Sequence, residues 1–247
     1  MTTEQLNITD FKRLDIKGAF RFEVRKADTF AVSVGQNWFH RTKVYKQGET
    51  LVVYHPWYDV LGWFTPWITP TVNITMPELL ELNVSGANNG SAKGFTTTQD
   101  FRLKVHGAST LVTEFNAGNC DIDVAGASRI ELAAVVKDVK FNVAGASRVS
   151  GSLKAEKGQI HVAGASRIGL SGAIGEATID VAGASRLDLA GFTARVASIK
   201  VVGASQCSVN VQDKMDADLA GASKLLYGGN PVMGNIKMVG ASSIARK

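Results

Sequence analysis

Four arginines recur at one spacing: Arg129, Arg148, Arg167 and Arg186, each 19 residues after the last. A guanidinium is planar, permanently charged and fork-shaped, which suits sulfate, carboxylate and phosphate groups. If 19 residues return the chain to the same place, the four form one outward column. Unit charges about 5 Å apart repel by roughly 1 kcal/mol per neighbouring pair even in water, so such a column needs compensation. It is at hand only at the two ends. Glu131 and Asp188 lie two residues further along the same face, and Asp123 and Asp180 flank the same end coils. The middle coils offer Asn142, Ser150, His161 and Gly169, so the unneutralised charge centres on Arg148 and Arg167. Two readings follow. One is a solvated face whose long side chains splay apart over the strands. The other is an anion site for sulfate, carboxylated polysaccharide or phosphate groups.

The second cluster is aromatic. His55 to Trp67 contains Trp57, Tyr58, Trp63, Phe64 and Trp67, interrupted by Pro56, Gly62 and Pro66. One reading is an insertion, residues 55–70, folded over the wall or end of the molecule and burying its own rings. A second is a surface for another protein or another copy, since aromatics concentrate at binding hot spots. Sugar stacking and shallow membrane contact are the others.

Catalytic chemistry is poorly supplied. His40, His55, His106 and His161 have no metal-ligand spacing. Asp121, Asp123 and Asp180 are the nearest approach to the clustered acids that a polysaccharide lyase or hydrolase needs, and they read as solvated strand positions. A serine also recurs with the arginines, but no histidine or acid accompanies it as a base. No catalytic residue, metal or cofactor is assigned.

These residues are positioned by a repeat. Gly-Ala-Ser begins at Gly107, Gly126, Gly145, Gly164, Gly183, Gly203, Gly221 and Gly240, in steps of 18 to 20 residues, and Gly86-Ala87-Asn88 opens one earlier unit. Two before the glycine stand Val84, Val105, Val124, Val143, Val162, Val181, Val201, Leu219 and Met238. Four before it stand residues such as Leu103, Ile122, Phe141 and Ile160, and four after it Leu111, Ile130, Val149 and Ile168. Period-two alternation of β-branched residues predicts strands. A 19-residue unit is too short for the common helical repeats and cannot bury its own apolar face, but stacked units can. The sequence therefore predicts an all-β, right-handed, single-stranded parallel β-helix, the hand following from the general preference of parallel crossovers. Glycine serves the corner between strands, and strict alternation through the bend points the serine hydroxyls inward, bonded to one another up the stack.

The first hundred residues are less regular. Leu14 to Val24 keeps the register and reads as the first coil. Further strands are expected at Phe30 to Val34, Leu51 to Val53 and Val72 to Met76, with a turn at Gln47-Gly48-Glu49. One solenoid domain over residues 1–247 results, with an irregular section over 1–81 and regular coils over 82–247, about nine of them.

The run Phe11-Lys12-Arg13-Leu14-Asp15-Ile16-Lys17-Gly18-Ala19-Phe20, then Gly48-Glu49-Thr50-Leu51, then Ile74-Thr75-Met76-Pro77-Glu78-Leu79 with Gly86-Ala87, resembles the auto-transporter adhesin head GIN domain family, and the later Gly-Ala-Ser coils fit it too. The resemblance implies a β-helical fold and a surface or envelope setting in bacteria.

Bulk properties exclude several classes. A net charge of +5 is modest, and no nucleic-acid motif is present, so nucleic acid is not expected as a partner. No run approaches the roughly 20 apolar residues of a membrane helix. The N-terminus shows no basic segment followed by an apolar stretch, so the expected setting is the envelope or extracellular space if a leader was removed, and otherwise the cytoplasm. Cys120 and Cys207 fall several coils apart and read as free thiols. The leading expectation is a non-catalytic surface adhesion or binding module for anionic glycan or another surface protein. Its rival is a self-assembling scaffold of the bactofilin kind, stacking through the solenoid end or the tryptophan segment. The basic Arg246-Lys247 end reads equally as a device against such stacking.

Overall fold

The structure is a computed structural model and describes residues 3–35, 42–55 and 69–247. These residues contain no helix. They form a parallel β-solenoid of about nine turns with coils of about 19 residues. Each rung gives one strand to each of two stacks, joined at the glycine corner.

The first stack holds β2 (Arg13–Gly18), β8 (Glu81–Gly86), β10 (Phe101–Gly107), β12 (Asn119–Val124) and β14 (Asp138–Val143), all parallel. The second holds β3 (Arg21–Lys26), β9 (Asn89–Thr96), β11 (Thr110–Asn116) and β13 (Arg129–Val135). From β15 (Arg148–Val162) through β16 (Arg167–Val181), β17 (Arg186–Gly203) and β18 (Gln206–Gly221), one long strand serves both stacks. β19 (Lys224–Gly228) follows the Gly221 corner and pairs with β18, and the final rung is β20 (Val232–Gly240) and β21 (Ser243–Arg246), paired on β18 and β19.

Register turns the sequence pattern into buried columns. Val105, Val124, Val143, Val162, Val181 and Val201 pair rung to rung, as do Leu103, Ile122, Phe141, Ile160, Ile179 and Ile199, and all are buried. Leu111, Ile130, Val149, Ile168, Leu187 and Cys207 form the facing column. Each fully buried Val, Leu or Ile contributes roughly 1.5–3 kcal/mol, so the core needs no cross-link. Cys120 and Cys207 are accordingly free and buried.

The corner is built from backbone approach. Each glycine of the repeat has positive φ, for example 83° at Gly145, and lies against the glycine of the rung before. The Gly126 carbonyl accepts from Ala146 N at 2.8 Å and from Ser147 Oγ at 3.2 Å. Ser147 also donates to Ala144 O at 3.2 Å, and Ser128, Ser166 and Ser205 follow suit on their own rungs. The serines from Ser109 to Ser223 are buried as their alternation predicted, but their hydroxyls donate to backbone carbonyls rather than to one another's hydroxyls. Each corner carbonyl has a lone pair left after the Ala N–H, and the hydroxyl takes it.

The N-terminal section corrects the simple order. The segment expected as the first coil is a regular rung, β2–β3, but it is not the outermost one. The rung of β6 (Thr50–Tyr54) and β7 (Thr71–Met76) lies beside β2 and β3 on the side away from β8 and β9. This outer rung is covered by antiparallel strands: β5 (Lys43–Gln47) on β6, β4 (Ala31–Gly35) on β7, and β1 (Thr3–Leu6) on β4. Lys17 pairs with Tyr54 and Arg21 with Thr71, so residues 55–70 separate in sequence two positions that only Gly18, Ala19 and Phe20 separate in the neighbouring rung. Trp57, Tyr58, Trp63, Phe64 and Trp67 lie outside the described residues.

Candidate functional site

The arginines are brought together as their spacing predicted. Arg129 pairs in register with Arg148, Arg148 with Arg167, and Arg167 with Arg186, which sets them one interstrand spacing (about 4.8 Å) apart along the second stack. Each begins the strand that follows the corner, and each is exposed. Two further cations stand in the same column: Arg21 beyond Asn89 and Thr110 on one side, and Lys224 beyond Gln206 on the other. Their position, three residues after Gly18 and Gly221, was available in the sequence. Neutral rungs separate them from the run of four.

The expected neutralising acids do not neutralise it. Asp123 lies 3.8 Å from His106 Nε2, and Asp180 lies 3.0 Å from His161 Nδ1. Asp188 accepts from the Ala190 N–H at 3.1 Å. Among the described residues, no carboxylate comes within ion-pair distance of Arg129, Arg148, Arg167 or Arg186. In the column beside them Glu131 is followed by Ser150, Gly169 and Asp188, so the two middle rungs carry no acid there.

The first stack behaves differently. One of its outward columns runs Arg13, Glu81, Arg102, Asp121, Lys140, changing sign at every rung, with Arg13–Glu81 at 3.9 Å and Arg102–Asp121 at 3.8 Å. The next runs Lys104, Asp123, Asn142, His161, Asp180, Lys200, Asp218, Lys237 and again sets no two like charges on adjacent rungs. These two columns of the first stack thus keep like charges apart, since opposite charges across a pair of strands are favourable and like charges are not. The arginine column breaks that rule three times running.

Beside the arginines the corner is low. Ala127, Ser128, Ala146, Ser147 and Ala165 line, with Thr110, Arg129, Arg148 and Arg167, a groove of about 590 Å³. A larger groove of about 900 Å³ on the first stack is lined by residues of both signs, including Arg102, Asp121, Lys140, Lys157 and Glu176, and Lys157 pairs with Glu176 at 3.1 Å. That groove is internally compensated and the arginine groove is not. Among the described residues no cluster of three or more His, Cys, Asp or Glu could hold a metal ion.

Fold and surface together define a repeat-built β-solenoid that carries one uncompensated cationic stripe. The sequence matches the family described as "putative auto-transporter adhesin, head GIN domain" over residues 10–152 and 137–231, and the chain belongs to that family. No curated protein matches it. Its fold is shared by a "putative adhesin" of Parabacteroides distasonis ATCC 8503, at 18% identity and TM-score 0.71 over 100% of this chain and 96% of that one. A "putative lipid binding protein" of the same organism is similar at 20% identity and TM-score 0.70, again over 100% and 96% of the two chains. A "putative adhesin" of Parabacteroides merdae ATCC 43184 is similar at 18% identity and TM-score 0.63, over 100% and 95%. At these identities the likeness concerns the fold.

Proposed function

We propose that the chain is a non-catalytic adhesion module of the bacterial surface or envelope, and that it holds anionic glycan through Arg129, Arg148, Arg167 and Arg186. The family supports the adhesion setting. One observation carries the ligand class: four guanidinium groups stand in register, without an acid partner among the described residues, whereas two charged columns of the first stack set no like charges on adjacent rungs. Holding them together costs repulsion that a bound sulfate or carboxylate would relieve.

The test is a glycan array probed at low and physiological salt with the wild type and an Arg148→Ala/Arg167→Ala variant. Salt-sensitive binding to sulfated or uronate glycans that the variant loses is the expected result. Equal binding by both proteins, or binding only to vesicles of anionic phospholipid, overturns the glycan assignment.

The rival reading is a scaffold that stacks through the β20 rung. Among the described residues six large apolar side chains are exposed, and four of them, Val232, Met233, Met238 and Val239, lie on this one strand. Sedimentation velocity over a hundredfold range of concentration separates the readings. A single species throughout removes the scaffold, and growth in mass that Met233→Lys with Met238→Lys abolishes supports it.

A further inference from the structure

The arginines differ from an ordinary basic patch in being arranged along one direction only. Parallel to the solenoid axis, each lies one strand spacing from the next, fixed by the backbone ladder. Across the strands the surroundings change at once. Glu131 and Asp188 occupy the adjacent column on the two end rungs, and the Ala-Ser corner lies on the other side. An anionic chain laid along a strand would pass from one arginine to a carboxylate or to an uncharged corner. Laid along the axis, it meets a cation at every step for four rungs, and then the neutral Thr110 at one end and Gln206 at the other.

From this we infer that the ligand is a linear polyanion lying parallel to the solenoid axis, its successive anionic groups held by successive arginines. The inference rests on the anionic-glycan reading and adds orientation, valence and length to it. At about 4.8 Å per rung, the run from Arg129 to Arg186 spans about 14 Å. A single anion reaches one or two guanidinium groups. A chain that spans all four gains the multivalent advantage of about 100-fold or more without any new kind of contact. The surface beside the two middle arginines accommodates such a chain: a Cβ added at Gly169 would meet nothing within 4 Å.

The experiment is a titration series with inorganic sulfate and size-fractionated heparin oligosaccharides at fixed low salt, on the full chain. Sulfate binds negligibly, and affinity rises by about 100-fold or more from the disaccharide upward, levelling once the oligosaccharide covers four rungs. Arg129→Gln with Arg186→Gln moves the plateau to a shorter length. Gly169→Asp, which sets an acid beside Arg167, lowers affinity for every length, with the fold checked by circular dichroism. Binding that does not depend on length overturns the axial polyanion and leaves the anionic-glycan reading in place. No binding at any length, with the protein folded, overturns both.

Discussion

The Gly126 carbonyl oxygen occupies the space that a Cβ on Gly145 would need, the two standing 2.4 Å apart. The same relation recurs up the corner, where a Cβ added at Gly164 would lie 2.5 Å from the Gly145 oxygen and one added at Gly183 2.5 Å from the Gly164 oxygen. Because this oxygen also accepts from the next rung's alanine N–H and serine hydroxyl, the close approach is what closes the corner's hydrogen bonds. Positive φ and lack of room thus demand glycine together.

Gly145→Ala is expected to destabilise the protein by about 3 kcal/mol or more, combining a left-handed backbone with a backbone clash. Gly169→Ala, on the open outer face, changes stability by less than about 1 kcal/mol. Paired chemical denaturation curves decide the matter, and similar midpoints for the two variants would contradict the account.

Replacing Arg148 and Arg167 by alanine should leave the fold intact and its stability equal or slightly higher, by under about 1 kcal/mol, because exposed like charges are removed. Added salt screens that repulsion in the wild type and has less to screen in the variant. Thermal melts at two ionic strengths measure the difference. A large loss of stability would show that the arginines serve the fold rather than a ligand.

Ser166→Ala is expected to cost about 1 kcal/mol, the usual net value of one hydrogen bond, since the Gly145 carbonyl keeps the Ala165 N–H at 2.8 Å. Ser147→Ala should cost about the same, and the double variant the sum of the two, because neither hydroxyl bonds the other. A double-mutant cycle with appreciable coupling would argue for a connected serine network instead.

Burial pushes the Cys207 thiol from 9.0 up to about 12, with Asp188 adding to the rise, and pushes Cys120 up as well. The folded state therefore keeps protons that the unfolded state gives up. Stability contributed this way is intact below the unfolded thiol value of 9.0 and declines as pH rises from there toward 12. A variant with both cysteines replaced by alanine should show a shallower decline over that window, though lower stability at neutral pH from the vacated volume. Thiol reagents should label the native wild type slowly and the denatured chain at once. Rapid native labelling would mean that the core opens far more easily than its packing implies.

Much of this architecture was legible in the sequence because a solenoid writes its contacts locally. A residue's neighbours on the next rung lie about 19 positions away, so Val143 over Val124 and Arg148 over Arg129 could be paired by counting. The serine partners were not legible: burial follows from alternation, but the choice between a hydroxyl and a backbone carbonyl depends on corner geometry. The N-terminal order was hidden for another reason. Val24 pairs with Ile74 on one side and Ala92 on the other, and such distant pairings leave no period to count. The antiparallel strand β4 alternates as the parallel ones do, and β1 and β5 show no clear alternation at all, so strand direction is not written in the pattern.

The rung β2–β3 is made early in the chain yet ends up with later segments on both of its sides. A chain that stacked its rungs strictly in order of synthesis would grow in one direction, each new coil added to the last. Here the first complete turn is a seed with two growing faces. The strands β6 and β7 finish one face, which β1, β4 and β5 cover as a cap, and everything from Glu81 onward extends the other. The solenoid can therefore gain or lose Gly-Ala-Ser units along its extending side over evolutionary time without disturbing its start. Lengthening or shortening the arginine run by whole coils would then adjust the reach of the surface while its cap stays the same.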